Sequence, residues 1–443
     1  MRRRLQLFLA LCLVLGSSRA YGDEPFNIAV TTDKLAFLLT QLYGPGGLIV
    51  DSLTVLPSGA THSAHFNSDF QTNFTQFNTA LASQIVNVPL PSPASGFTYE
   101  FDPTLGVFTR TTQSFGPILA ERWETIGGNR FSFGFTYQRF TFDTVEGLDL
   151  DNIPAVFTHD GFQLRGGRED LVTTNNSISA TVNQITSFLT YGVADRLDIS
   201  IAIPLVSNEL RVISEATTQR IGTTNPEVHF FRQQDGGLGV RRLFTASGSA
   251  TGLGDITVRI KGAVAGSPGG NGLSLALDLR VPTGDEENLL GSGAAGVSPF
   301  LIWSATAGAF SPHVNIGYRW NGESILAGDP TTGETGDLPD QAFYIVGADF
   351  ALGSRFTFAI DLLGQYVIDS PRVGVEEFLA ADGASRFQTL AFTQDSFNKM
   401  SGAVGFKLNA VENLLVDFNL LFNIDNNGLR DKVTPLVGLE YAF

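Results

Sequence analysis

From Phe131 to Phe443 one pattern recurs that leaves little choice of fold: apolar and polar residues alternate with a period of two. That period sends successive side chains to opposite faces of a strand. Leu414, Val416, Phe418, Leu420, Phe422 and Ile424 alternate with Asp417, Asn419, Asn423 and Asp425. Phe356, Phe358, Ile360, Leu362, Tyr366 and Ile368 stand against Thr357, Asp361 and Gln365. Leu273, Leu275, Leu277 and Leu279 stand against Ser274, Asp278 and Arg280. A β-sandwich also alternates, so this pattern alone does not distinguish a sandwich from a membrane barrel.

The connections make that distinction. Short turns at 194–196, 267–271, 309–311, 352–354 and 410–413 alternate with longer polar loops near 144–179, 209–252, 284–295, 321–340, 370–395 and 426–432. Outer-membrane barrels have short periplasmic turns and long external loops. Phe356 and Tyr366 bracket one apolar row; at barrel tilt that separation spans roughly 25 Å, the height of a lipid-facing band. Tyr318 and Trp320 sit at another strand's outer end, as an aromatic girdle requires. Charged residues make up only 16% of the chain, against about 25% in soluble domains. The final residues are Leu439-Glu440-Tyr441-Ala442-Phe443. Tyr441 and Phe443 fit the terminal aromatic signal read by the outer-membrane barrel assembly machinery.

The predicted fold is therefore an all-β, transmembrane antiparallel β-barrel with a short N-terminal helical or irregular segment. Twelve strands follow from Phe131. The stretches 96–111 and 113–123 offer two more, joined through Ile126-Gly127-Gly128-Asn129, so fourteen are expected and twelve is the alternative. Residues 1–20 read as a signal peptide, with Arg2, Arg3 and Arg4 before the apolar run Leu5–Leu15 and small residues at Ser18 and Ala20. Residues 21–95 are expected to form an N-terminal plug or periplasmic segment, and 96–443 the barrel. Within the former, Thr32-Asp33 reads as a helix start, Leu35, Leu38, Leu39 and Leu42 as an apolar stripe, and Gly44-Pro45 as the stop.

Several chemistries are excluded. Cys12, inside the signal, is the single cysteine, so no disulfide or thiolate site is available. The net charge of −16 repels nucleic acid. No catalytic signature and no metal-ligand set occurs, and neither cofactor nor metal is expected. Gly291-Ser292-Gly293-Ala294-Ala295-Gly296 matches a dinucleotide fingerprint, but a strand follows it where a helix is needed.

If the apolar rows meet lipid, the charged residues line the lumen: Asp198, Asp255, Arg259, Lys261, Asp278, Arg280, His313, Arg319, Asp349, Asp361, Lys399, Lys407, Asp417 and Glu440. An Arg or Lys facing lipid at mid-depth costs about 2–4 kcal/mol. Arg259 falls opposite Asp278 across the Pro268-Gly269 turn. Such charges either satisfy one another and close the barrel or set a solute's path. Asp285, Glu286 and Glu287 head an external loop, as a cation site bridging lipopolysaccharide or as a solvated acidic patch.

The strand-and-loop text also resembles a known group. Phe115-Gly116-Pro117, Ala120-Glu121 and Thr125-Ile126-Gly127 lead into 130–143. Gly252-Leu253-Gly254-Asp255-Ile256, with Arg259 and Lys261, leads to Leu279-Arg280-Val281-Pro282-Thr283-Gly284-Asp285-Glu286. Ser311-Pro312-His313, Gly317-Tyr318 and Trp320-Asn321-Gly322 follow. Over roughly 96–443 this resembles the outer-membrane proteins grouped as meta-pathway phenol-degradation transporters, akin to long-chain fatty-acid and aromatic-hydrocarbon channels. Those fatty-acid channels carry Asn-Pro-Ala near the mature N-terminus; here the single Asn-Pro is Asn225-Pro226, followed by Glu227. The resemblance implies a non-enzymatic outer-membrane channel for passive uptake of small hydrophobic or aromatic solutes. A structural or surface-interaction barrel with a closed lumen is the alternative. Outer-membrane lipid, lipopolysaccharide, the assembly machinery and a small-molecule solute are the expected partners.

Overall fold

The computed structural model describes residues 27–443 apart from short stretches, which include 32–33, 44–47, 56–58, 60–63, 93–95, 103–106 and 160–168. The expected signal peptide, and the helix start and stop at Thr32-Asp33 and Gly44-Pro45, lie outside the described residues.

Twelve strands close a ring: β1 (Phe131–Phe142), β2 (Asp170–Ala194), β3 (Leu197–Arg220), β4 (Ile256–Gly266), β5 (Gly272–Val281), β6 (Gly296–Ser304), β7 (Phe310–Asn321), β8 (Gln341–Ala351), β9 (Phe356–Leu379), β10 (Arg386–Val411), β11 (Leu414–Asn423) and β12 (Val433–Ala442). Each is antiparallel to the next, and β12 pairs β1, with Val437 opposite Tyr137, to close the cylinder. Above β4 the ring continues as Arg241–Leu253, paired with the upper part of β3. Asn27–Thr31 and Ile153–Thr158 add to the sheet at its rim without entering the ring.

The smaller of the two expected counts is therefore the ring. Tyr99–Asp102 and Val107–Arg110 form a separate two-stranded hairpin, and 112–130 contains no strand. Gly116 at φ +79° and Gly127 at φ +99° break any extended run there. The connections differ as well. The loops expected at 209–252 and 370–395 are largely strand, because β2, β3, β9 and β10 run for 24 to 26 residues. About 9–11 residues suffice to cross a bilayer, so these hairpins rise well beyond it. The turn expected at 309–311 lies earlier, between Ser304 and Phe310.

The faces decide what kind of barrel this is. Leu275 is 54% exposed, Phe358 37% and Phe418 38%; between two stacked sheets all three would be buried. Asp198, Lys261, His313, Asp349 and Asp361, on the opposite parity, are buried. At the short-turn end, Phe131 stacks on Tyr191 and Phe443, and Tyr441 adjoins them. A closed antiparallel barrel with an exposed apolar wall and an aromatic girdle is built to span the outer membrane.

The remaining core lies at the wide, long-strand end. The leucine stripe expected to be a helix is a 3-10 turn at Leu35–Phe37 continuing into turns. Lys34 supplies no side-chain cap to it. Leu35, Leu38, Leu39 and Leu42 are nonetheless buried, packed with Phe77 and Leu81 against Val172, Ile178, Val212, Ala216 and Phe244 of the wall. Phe77 and Leu81 belong to an 18-residue helix, α1 (Ser68–Ile85). No described helix is long and apolar enough to cross a membrane. Val156, Leu171 and Ala380 pack together where Ile153–Thr158 and the far ends of β2 and β9 meet.

Candidate functional site

From α1 the chain descends inside the barrel. Gln138 on β1 donates to the Pro89 carbonyl at 2.9 Å, and the Gly96 amide reaches Glu440 on β12 at 2.8 Å. Residues 112–130 then cross the periplasmic end of the lumen as a floor. Apart from Asn129 and Arg130, which bond to the backbone of Gly192 on β2, they lack ladder partners, so their backbone groups bond to inward side chains of successive strands. Phe115 N–H donates to Thr357 at 3.0 Å, and Ile118 and Leu119 N–H to Asp361 at 3.3 and 3.1 Å. Glu121 N–H donates to Asn315 at 2.6 Å, and Trp123 N–H to Ser304 at 3.0 Å. Ile126 N–H donates to Asp198 at 3.0 Å and Gly128 N–H to Asp195 at 3.1 Å. Trp123 lies flat on the wall because Gly272 has no Cβ; one there would come within 2.2 Å of the indole.

These contacts place the residues singled out in the sequence. Arg259 grips Asp278 through two 2.6 Å bonds and also reaches Glu121. Lys261 reaches Glu121 at 3.3 Å, the Glu124 carbonyl at 2.8 Å and Asp198 at 3.8 Å. Burial lifts the Glu121 carboxyl, but Lys261 and Arg259 together hold it below the usual carboxylate range. His313 is set between Asp361 at 2.6 Å and Asp349 at 3.6 Å, and Asp349 also receives the Ser114 hydroxyl. Asp255 takes the Ser292 hydroxyl at 2.6 Å and amide at 2.8 Å, pinning the glycine-rich loop, with Arg280 at 3.9 Å. Glu440 accepts from Ser132 at 2.9 Å and Asp417 from Asn419 at 2.6 Å. Among the described residues Arg319, Lys399 and Lys407 form no ion pair within 4.0 Å. In the external loop, Lys34 takes Glu287 at 2.6 Å, while Asp285 accepts from the Glu287 amide and from Asn288.

Between the descending residues Val86–Pro89 and the floor lies a cavity of about 180 Å³. Leu119 and Glu121 face it from below, and Phe300, Phe343, Leu363, Arg259, Arg280 and Arg319 from the wall. Glu121 is the residue of this site that periodicity does not single out, whereas Asn315 falls on the inward parity of β7 with His313 and Arg319. Glu121 lies where strand alternation was read, and its neighbours Arg122, Trp123 and Glu124 break that alternation.

The sequence signature of a family described as the putative MetA-pathway of phenol degradation matches residues 175–424, more than half of the chain. The chain belongs to that family. No curated protein matches it. Among solved structures it is similar to the COG4313 outer membrane channel from Pseudomonas putida F1, with 12% identity over 72% of this chain and 98% of that one and a TM-score of 0.39. It is also similar to the NanC porin, with 7% identity, 70% and 98% coverage and a TM-score of 0.33. The CymD monoaromatic hydrocarbon channel shares 12% identity over 71% of this chain and 88% of that one, with a TM-score of 0.29. The family assignment rests on the signature match, and the membrane assignment on the barrel's own wall.

Proposed function

We propose that this protein is an outer-membrane channel through which small aromatic or otherwise hydrophobic molecules pass down their gradient, with no cofactor and no chemical step. One observation carries this reading: a 180 Å³ cavity lies within the lumen, walled partly by aromatic rings and partly by charge. An apolar cavity of about 150 Å³ holds a benzene molecule, so the space suits a single ring with a small substituent. The N-terminal segment expected over 21–95 acts, through its described residues such as Leu35–Phe37 and α1, as the plug at the outer mouth, and the floor is the part that yields to release the solute. Tyr441 and Phe443 serve as the assembly signal, and lipopolysaccharide surrounds the tall hairpins.

The runner-up is a barrel whose lumen stays shut, favoured by the continuous bonding of the floor to the wall. Proteoliposomes decide between them. The channel reading expects phenol and benzyl alcohol to enter vesicles holding the purified protein several-fold faster than empty vesicles. Equal rates for every solute tried leave the closed barrel in place.

A further inference from the structure

The cavity's three arginines are not equivalent. Arg259 is committed to Asp278 and Glu121. Arg280 donates to the oxygens of Asn87 at 2.9 Å, Asn321 at 2.8 Å and Ala294 at 3.3 Å. Arg319 gives only its Nε–H, to the Ser298 hydroxyl at 3.2 Å. Its two terminal nitrogens have no acceptor among the described residues, and neither is sealed from open space. A guanidinium edge of that kind matches a carboxylate, which it binds through two parallel N–H···O bonds.

The strand register sets an apolar platform beside it. Gly317, one inward position along β7 from Arg319, pairs with Phe300 on β6 and with Phe343 on β8. The two rings lie 5.8 Å apart. A Cβ at position 317 would come within 2.4 Å of Phe343 and 2.5 Å of Phe300, so only glycine lets both rings close over the strand. On β8, Gln341 stands opposite Arg319 and adds a neutral amide to the same row. The nearby carboxylates of Asp278 and Glu121 are held by Arg259 and Lys261, and Arg319 has no ion pair within 4.0 Å among the described residues.

Taking the channel reading as the reason a solute reaches this cavity, we propose that its preferred ligand is a small aromatic acid bound as the anion. The carboxylate lies on the terminal nitrogens of Arg319, and the ring on Phe300 and Phe343. The cavity's size admits one ring, and the wall supplies one free cation beside one aromatic surface.

Isothermal titration of the purified full-length protein in detergent at pH 7, with benzoate and with benzyl alcohol, tests this. Benzoate is expected to bind at least tenfold more tightly than the uncharged alcohol. Arg319→Gln should abolish that preference. Arg319→Lys, a point charge without the planar fork, should lose several-fold in benzoate affinity; it carries the test if the glutamine variant does not assemble. Equal affinities for the two ligands in the wild type, or a ratio unchanged in the variants, overturns the proposal. Vesicle uptake separates this inference from the channel reading. Passage of benzyl alcohol without preference for benzoate in titration sinks the acid ligand and keeps the channel. Preference for benzoate with no solute crossing does the reverse.

Discussion

The two ends of the lumen are closed by opposite physics. At the outer mouth, Leu35, Leu38, Leu39, Leu42, Phe77 and Leu81 form a dry core with the wall. At the periplasmic end, the floor is tied through backbone amides to Asp361, Asp198, Asn315, Thr357 and Ser304. Each fully buried large side chain in the first contributes about 1.5–3 kcal/mol, and a void left there stays unfilled. Each bond in the second is worth about 1.5–3 kcal/mol where the acceptor is charged, and water can replace it in kind. The mouth thus resists opening as any packed core does, whereas the floor's bonds can be exchanged for bonds to water.

Three substitutions press on this contrast, in descending order of effect. Leu39→Ala, in the mouth, should lower stability by about 2–5 kcal/mol, read as a drop in the thermal midpoint of the purified barrel; an unchanged midpoint would mean the mouth is not a packed core. Asp361→Ala strips the acceptor from the Ile118 and Leu119 amides and from His313. Planar-bilayer recordings should then show conductance several-fold above wild type. Conductance equal to wild type would place the barrier elsewhere. Gly272→Val should push Trp123 off the wall, shifting tryptophan emission to the red with little change in thermal midpoint. An unshifted spectrum would show that the indole's seat does not depend on the missing Cβ.

The wall was legible in the sequence because lipid imposes a strict parity. Every residue from Val433 to Phe443, and the opposition of Arg259 to Asp278, follows from counting by twos. The floor was not, because it obeys no period. Its 112–130 stretch holds Phe115, Ile118, Leu119 and Trp123 close enough to imitate a strand, and what excludes a strand is the presence of inward carboxylates waiting for its amides. The helix was misplaced for a related reason. Leu35, Leu38, Leu39 and Leu42 have helical spacing yet sit mostly in turns, whereas Phe70, Phe74, Phe77, Leu81 and Ile85 carry the same spacing through α1. Strand length is hard to see in the sequence because, beyond the apolar band, polar outward residues such as Ser177, Ser179 and Arg211 give a strand the composition of a loop. By parity Arg319 is one lumen charge among fourteen; only the pairing of its neighbours sets it apart.

The height of β9 and β10 has a consequence of its own. At a rise of roughly 3.3 Å per residue and a tilt near 40°, a strand of this length reaches about 60 Å, more than twice the apolar band. The hairpin's tip, where Asp382 gathers the amides of Ala384 and Ser385, stands far out from the hydrocarbon. It is therefore set well apart from the wall that meets lipid. A peptide epitope inserted beside Gly383 should label living bacteria while the pore below goes on working.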